Sequence, residues 1–186
     1  MWPWGHLAVA YLLYSVYAAR RYDRAPRALP AIAVAIGSQF PDLIDKPLAW
    51  TFDVLPGGRT LSHSLLFAAA LVLVVFVAVR RFDRVDPTVA FAFVIGHVVH
   101  LLADIPPSTL RGDFTGTTYF FWPVVPYHPV DEPGGIIDAF LTYEMGTYEV
   151  AQLGLFAVAI AVWYRDGAPG LEYASRTLRR IRPSSS

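Results

Sequence analysis

No cysteine occurs among the 186 residues, which excludes disulfides and thiolate metal ligands alike. Any metal this chain holds is held by histidine, aspartate or glutamate. Charged residues are scarce at 16%, and of fifteen basic residues only Lys46 is a lysine. No basic residue precedes the first apolar run, whereas Arg20 and Arg21 follow it. That run is therefore expected to remain as an uncleaved membrane span and not to act as a secretory signal. The chain has no glycine-rich phosphate loop, no serine nucleophile elbow and no internal repeat. A soluble basic face with interleaved aromatics is also missing, so nucleic acid is not expected as a partner.

What is present is apolar sequence, at 55% of residues with a mean hydropathy of +0.42. It falls into stretches at residues 7–19, 28–40, 64–79, 89–103 and 150–164. These approach the ~17–25 residues of a spanning helix. An all-α, multipass membrane bundle of about five helices is expected. The second stretch is short and contains Pro30, so it reads as a helix packed against protein and not one facing lipid throughout. Residues 1–166 form the expected membrane domain, and 167–186 a basic cytoplasmic tail.

Arginines cluster in alternate loops: Arg20, Arg21, Arg24 and Arg27; Arg80, Arg81 and Arg84; then Arg165 with Arg176, Arg179, Arg180 and Arg182. The positive-inside rule puts these loops in the cytoplasm, the N-terminus outside and the C-terminus inside the cell membrane. The tail is compatible both with binding to anionic lipid and with a disordered end. The topology has a second consequence. His6 opens the first helix, Asp42 closes the second, His63 opens the third, and His100 with Asp104 closes the fourth. All five land on one membrane face, the outer one.

His97, His100 and Asp104 share a helical face at the end of an apolar stretch, the arrangement by which a helix presents metal ligands. Ionisable groups at such depth are functional candidates. A mutually hydrogen-bonded packing pair is the alternative. Asp42 and Asp45 share a face if helix continues past Pro41; otherwise they are solvated caps. His63 follows Ser62 and precedes Ser64, either of which suits a helix N-cap, with His63 then incidental. His6 lies beside Trp2 and Trp4, where an interfacial role is open to it, and His128 stands in a loop with no spacing signal. Together these residues make an all-nitrogen-and-oxygen donor set suited to zinc, manganese or iron.

The segments Gly5-His6, Pro41 to Lys46, Gly58 to Ser64, Gly96 to Asp104 and Phe121-Trp122-Pro123 resemble, in order, the motifs of the YdjM-type membrane-bound metal-dependent hydrolases. The pattern differs at three points. Lys46 stands where that family has histidine, Gly58 replaces the first histidine of its His-Arg motif, and Ser62 replaces threonine. The family is more distantly similar to the zinc-dependent phospholipase C fold. That likeness implies a first metal site of Asp42, His63, His100 and Asp104, with His6 pointing to a second.

The expected activity is metal-dependent hydrolysis of a phosphoester, lipid-derived if the site lies at headgroup depth. Asp45 is then a general base or the partner of a ligand histidine. Arg59 is a phosphate clamp or a plain surface charge. The polar segment 105–147 reads as a lid, within which residues 119–123 read equally as an interfacial anchor, and Asp138, Glu144 and His128 are candidates to close a second site that no spacing selects. Two rival classes remain open: a transporter or proton or cation relay, and a non-catalytic scaffold that keeps its metal.

Overall fold

The computed structural model describes residues 1–127 and 133–173. Helix accounts for 70% of the described residues, with no strand among them. Five long helices form the body: α1 (Pro3–Tyr22), α2 (Ala28–Trp50), α3 (Leu65–Arg81), α4 (Pro87–Ala103) and, after a short α5 (Ile136–Leu141), α6 (Thr147–Arg165). Two 3-10 helices, Pro107–Arg111 and Thr115–Phe121, bridge α4 to α5. His128 and residues 174–186, including the tail arginines, lie outside the described residues.

Local chemistry accounts for the helix starts. Pro3 and Pro87 occupy first-turn positions, where a missing N–H costs nothing. Asp86 caps α4 by accepting from the Thr88 and Val89 amides, and Ser64 caps α3 by accepting from Phe67. Of the two serines beside His63, Ser64 is thus the cap. The second apolar stretch runs further than its composition suggests, because α2 continues through Pro41 and Pro47 to Trp50. Asp42 and Asp45 are consequently helical.

α2 and α4 cross most closely, and the contact is made by glycine. A Cβ on Gly37 would sit 2.1 Å from the Phe93 carbonyl oxygen, and one on Gly96 would sit 2.3 Å from that of Val34. Small residues allow helix backbones to approach in this way. Around the crossing, Ala10, Tyr14, Ala33, Val34, Ala92 and Val99 form the buried core. α1 and α6 run parallel: the Trp2 amide donates to Gln152 Oε1 at 2.9 Å, and Ser15 Oγ donates to Asp166 Oδ2 at 2.5 Å. Just past α6, Trp163 Nε1 donates to the Pro169 carbonyl, and Gly170 packs on Ile32, so residues 167–173 fold back onto the bundle.

Outside, the bundle is greasy. α3 buries only Ala68, leaving Leu66, Leu73, Val74 and Phe76 exposed, and α6 exposes Val158 and Ile160. Among the described residues, α6 alone is both long and apolar enough to be a clear spanning candidate. α3 and α4, at 17 residues each, are about 25 Å long. Arg20 and Arg21 end α1, Arg80 and Arg81 end α3, and Arg165 ends α6, while Arg27 before α2 pairs with Asp86 before α4 at 3.3 Å. His6, His63, His97, His100 and the buried aspartates lie toward the opposite ends of these helices.

Candidate metal centre

Four side chains from three segments meet at the ends of α2 and α4. Asp42, His63, His100 and Asp104 each offer a donor atom within 4.8 Å of the others, and among the described residues no other such group occurs. His63 Nε2 lies 3.1 Å from His100 Nε2. It lies 3.6 Å from both Asp42 Oδ1 and Asp104 Oδ2, and His100 Nε2 lies 3.8 Å from each of those oxygens. An ion in tetrahedral coordination with bonds of about 2.0–2.1 Å has donors roughly 3.3 Å apart. The observed spacings bracket that value.

Hydrogen bonding to the far side of each ring fixes which nitrogen faces inward. His100 Nδ1 is 2.6 Å from the Ser38 carbonyl oxygen, which only accepts, so Nδ1 carries the proton. Ser38 lies in the turn that Pro41 crowds, one residue past the carbonyl whose helical N–H donor the proline lacks. His63 Nδ1 donates to Asp45 Oδ2 at 2.8 Å. In the neutral forms, two lone pairs therefore confront each other. Asp42 Oδ1 is buried beside them without a hydrogen-bond partner. Such facing acceptors call for a cation. Burial opposes charge on His63, but Asp104, Asp42 and Asp45 outweigh it and raise its pKa to about 10.

Asp45 organises the segment that carries His63. It is fully buried and accepts from the amides of Thr60 at 2.8 Å, Ser62 at 2.9 Å and His63 at 3.3 Å, and from Ser62 Oγ at 2.7 Å, besides the imidazole. Ser62 Oγ also reaches the Pro41 carbonyl at 2.9 Å. Asp104 is shared: Oδ1 receives the Met1 amino group and lies 3.2 Å from His6 Nε2, while Oδ2 accepts from Arg59 Nε at 2.9 Å. His6 stacks on His100, with ring centroids 3.7 Å apart, but stands outside the four-donor group. His97, one turn deeper, is buried with neither ring nitrogen hydrogen-bonded among the described residues.

A cavity of about 580 Å³ adjoins the cluster. Trp2, Leu43, Trp50 and Phe140 supply apolar wall, and Asp42, Lys46 and Arg59 supply polar wall. Asp138 accepts from the Gly134 amide at 2.9 Å and belongs to the start of α5, not to the cluster.

The YdjM inner membrane protein family matches residues 1–167. This chain belongs to the YdjM family. No curated protein and no solved structure matches it. As in other YdjM inner membrane proteins, the bilayer is the setting in which this site must be read.

Within the YdjM pattern, the two positions that depart from histidine have a common structural consequence. Lys46 Nζ binds Asp42 Oδ2 at 2.6 Å and lies 5.5 Å from the Trp50 ring centroid. A Cβ on Gly58 would come within 2.9 Å of that same indole. Lys46, Trp50 and Gly58 thus fit together as a set. Sequence reasoning passed over Lys46 as a site group, the Ser38 carbonyl, and Tyr119, whose ring centroid lies 6.1 Å from that of His63. Lys46 carried a signal, as the lone lysine four residues after Asp42; the other two are long-range contacts with none.

Proposed function

We propose that this YdjM protein is a multipass membrane hydrolase of phosphoesters whose centre of Asp42, His63, His100 and Asp104 holds a divalent metal at the extracytoplasmic face. The observation that carries the reading is the 3.1 Å approach of two imidazole Nε2 atoms whose Nδ1 atoms are both committed to acceptors. The donor set suits zinc, and manganese or iron as alternatives. Bound there, such an ion supplies Lewis acidity, lowering the pKa of water and offsetting charge on phosphoryl oxygens.

The chain's own residues do the rest. Asp45 accepts hydrogen bonds at both oxygens from the segment bearing His63, which favours its role as that ligand's partner over that of a base. Arg59, held by Asp104, reaches the cavity and can donate to phosphate. The apolar walls favour a substrate with a hydrocarbon part, and a lipid phosphoester supplies one. The multipass topology, N-terminus outside, is supported by arginines at one end of the long helices, metal-binding side chains at the other, and lipid-like exposed flanks on α3 and α6. His97 is the deep residue that speaks for a relay instead, and among the described residues it has no ionisable neighbour in hydrogen-bond contact to relay to.

Elemental mass spectrometry on tag-free protein in detergent tests the centre. Near-stoichiometric metal in wild type, lost from folded His100→Ala and Asp104→Ala, is expected and would justify a phosphoester screen. Metal-free wild type after supplementation would end the hydrolase reading.

A further inference from the structure

Among the described residues, Lys46 and Arg59 are the two cationic side chains in the cavity wall, which the Met1 amino group also joins, and each is bonded to a different carboxylate of the metal cluster. Lys46 Nζ holds Asp42 Oδ2 at 2.6 Å, and Arg59 Nε holds Asp104 Oδ2 at 2.9 Å. Asp42 turns its other oxygen, Oδ1, toward the histidines, and it is this atom that is buried without a partner. The two cations are therefore neutralised by the same pair of carboxylates that a divalent ion would engage.

The charge balance then depends on the metal. Without it, the two carboxylates hold Lys46, Arg59 and the Met1 amino group, so both side-chain cations are engaged by the cluster and not by an anion in the cavity. With a divalent ion satisfying the carboxylates, the charges of Lys46 and Arg59 are left over, and both residues line the one cavity. Asp45 does not alter this, since its oxygens are spent on Thr60, Ser62 and His63. Neither cation needs to move far, because both already line the cavity. Lys46 is further held from beneath by the Trp50 indole, 5.5 Å from its ammonium.

We propose that Lys46 and Arg59 form a phosphate clamp that metal binding arms, with Lys46 the fixed cation on the Asp42 side. The inference rests on the metal-centre reading above and adds a ligand class, the doubly charged phosphate group, together with a coupling. Phosphate and metal tighten each other's binding by the same factor, as linkage requires. Arginine contributes a planar fork for two oxygens, whereas the lysine contributes a compact point charge.

The test is calorimetric titration of inorganic phosphate into zinc-loaded and zinc-free protein, unbound zinc having been removed, for wild type, Lys46→Gln and Lys46→Arg. Zinc content and thermal unfolding are followed in parallel. Phosphate should bind the zinc-loaded wild type at least tenfold more tightly than the zinc-free protein. Lys46→Gln should lose at least tenfold of that affinity while keeping its zinc, and Lys46→Arg should stay within about threefold of wild type. Equal phosphate affinity in wild type and zinc-loaded Lys46→Gln, or in zinc-loaded and zinc-free wild type, overturns the clamp and leaves the metal centre standing. Failure of wild type to take zinc overturns both.

Discussion

Asp45 Oδ2 and His63 Nδ1 are 2.8 Å apart, and the same carboxylate gathers the amides of Thr60, Ser62 and His63 around it. One side chain therefore both shapes the loop and sets the imidazole so that Nε2 faces His100. Asparagine is nearly isosteric but can accept at only one end. In Asp45→Asn, a donor must confront either the Ser62 amide or His63 Nδ1. Zinc affinity is expected to fall by about 10–100-fold, the usual loss for a partner of a ligand histidine. Competition against a chromogenic chelator measures it. Unchanged affinity would show that the loop holds His63 without Asp45.

The crossing of α2 and α4 makes a separate prediction. Asp42 rides on α2 and His100 on α4, so the donor spacing depends on how closely the helices approach. In Gly96→Ala the new methyl would meet the Val34 carbonyl at 2.3 Å, backbone that cannot swing aside. A loss of about 1–3 kcal/mol or more is expected from overpacking, with weaker metal binding. Gly154→Ala is the control, since a Cβ there meets nothing within 4 Å. It should unfold at the wild-type temperature or slightly above, alanine being the better helix former by up to about 1 kcal/mol. Thermal unfolding of both variants in one detergent decides the matter.

The parts of this architecture visible before any coordinates were those that depend on nearby residues. The His100 and Asp104 pairing follows from helical spacing, a serine cap at Ser62 or Ser64 from their position before an apolar run, and the arginine ends from alternate loops. The extent of α2 was hidden because the apolar stretch stops at Phe40 and Pro41 left open whether helix continues, yet the helix runs through Pro41 and Pro47 with Ser62 Oγ and His100 Nδ1 bonded to nearby carbonyls. Those donors come from residues 21 and 62 positions away, beyond the reach of periodicity. Lys46 was read as a departure from a motif; only its contacts with Asp42 and Trp50 give it a place in the site.

Metal removal should destabilise the fold, because the cluster's carboxylates and imidazoles are buried together and the ion engages only the folded arrangement. A ligand that binds the native state alone stabilises it by about 2.7 kcal/mol at a concentration of 100 Kd. Chelator-treated wild type should therefore unfold at lower temperature, and zinc should restore it. In Asp42→Asn, which weakens the cluster at its orphaned oxygen, the zinc-dependent increment should shrink. An increment that is equal in the two proteins would place the zinc elsewhere.

Orientation can be tested cleanly because the chain has no cysteine of its own, so a single introduced thiol reports on one site. Leu110, 92% exposed in the 3-10 helix that follows Asp104, lies at the metal end of the bundle. Asp83, exposed in the turn between α3 and α4, lies at the arginine end. Positive-inside topology puts the first outside and the second in the cytoplasm. In intact cells, a membrane-impermeant maleimide should label Leu110→Cys and spare Asp83→Cys until the membrane is opened. The reverse pattern would turn the centre toward the cytoplasm and move its substrate to the inner leaflet. Labelling of both sites in intact cells would mean that the two ends of α4 share one side of the membrane, which no single-pass arrangement of that helix allows.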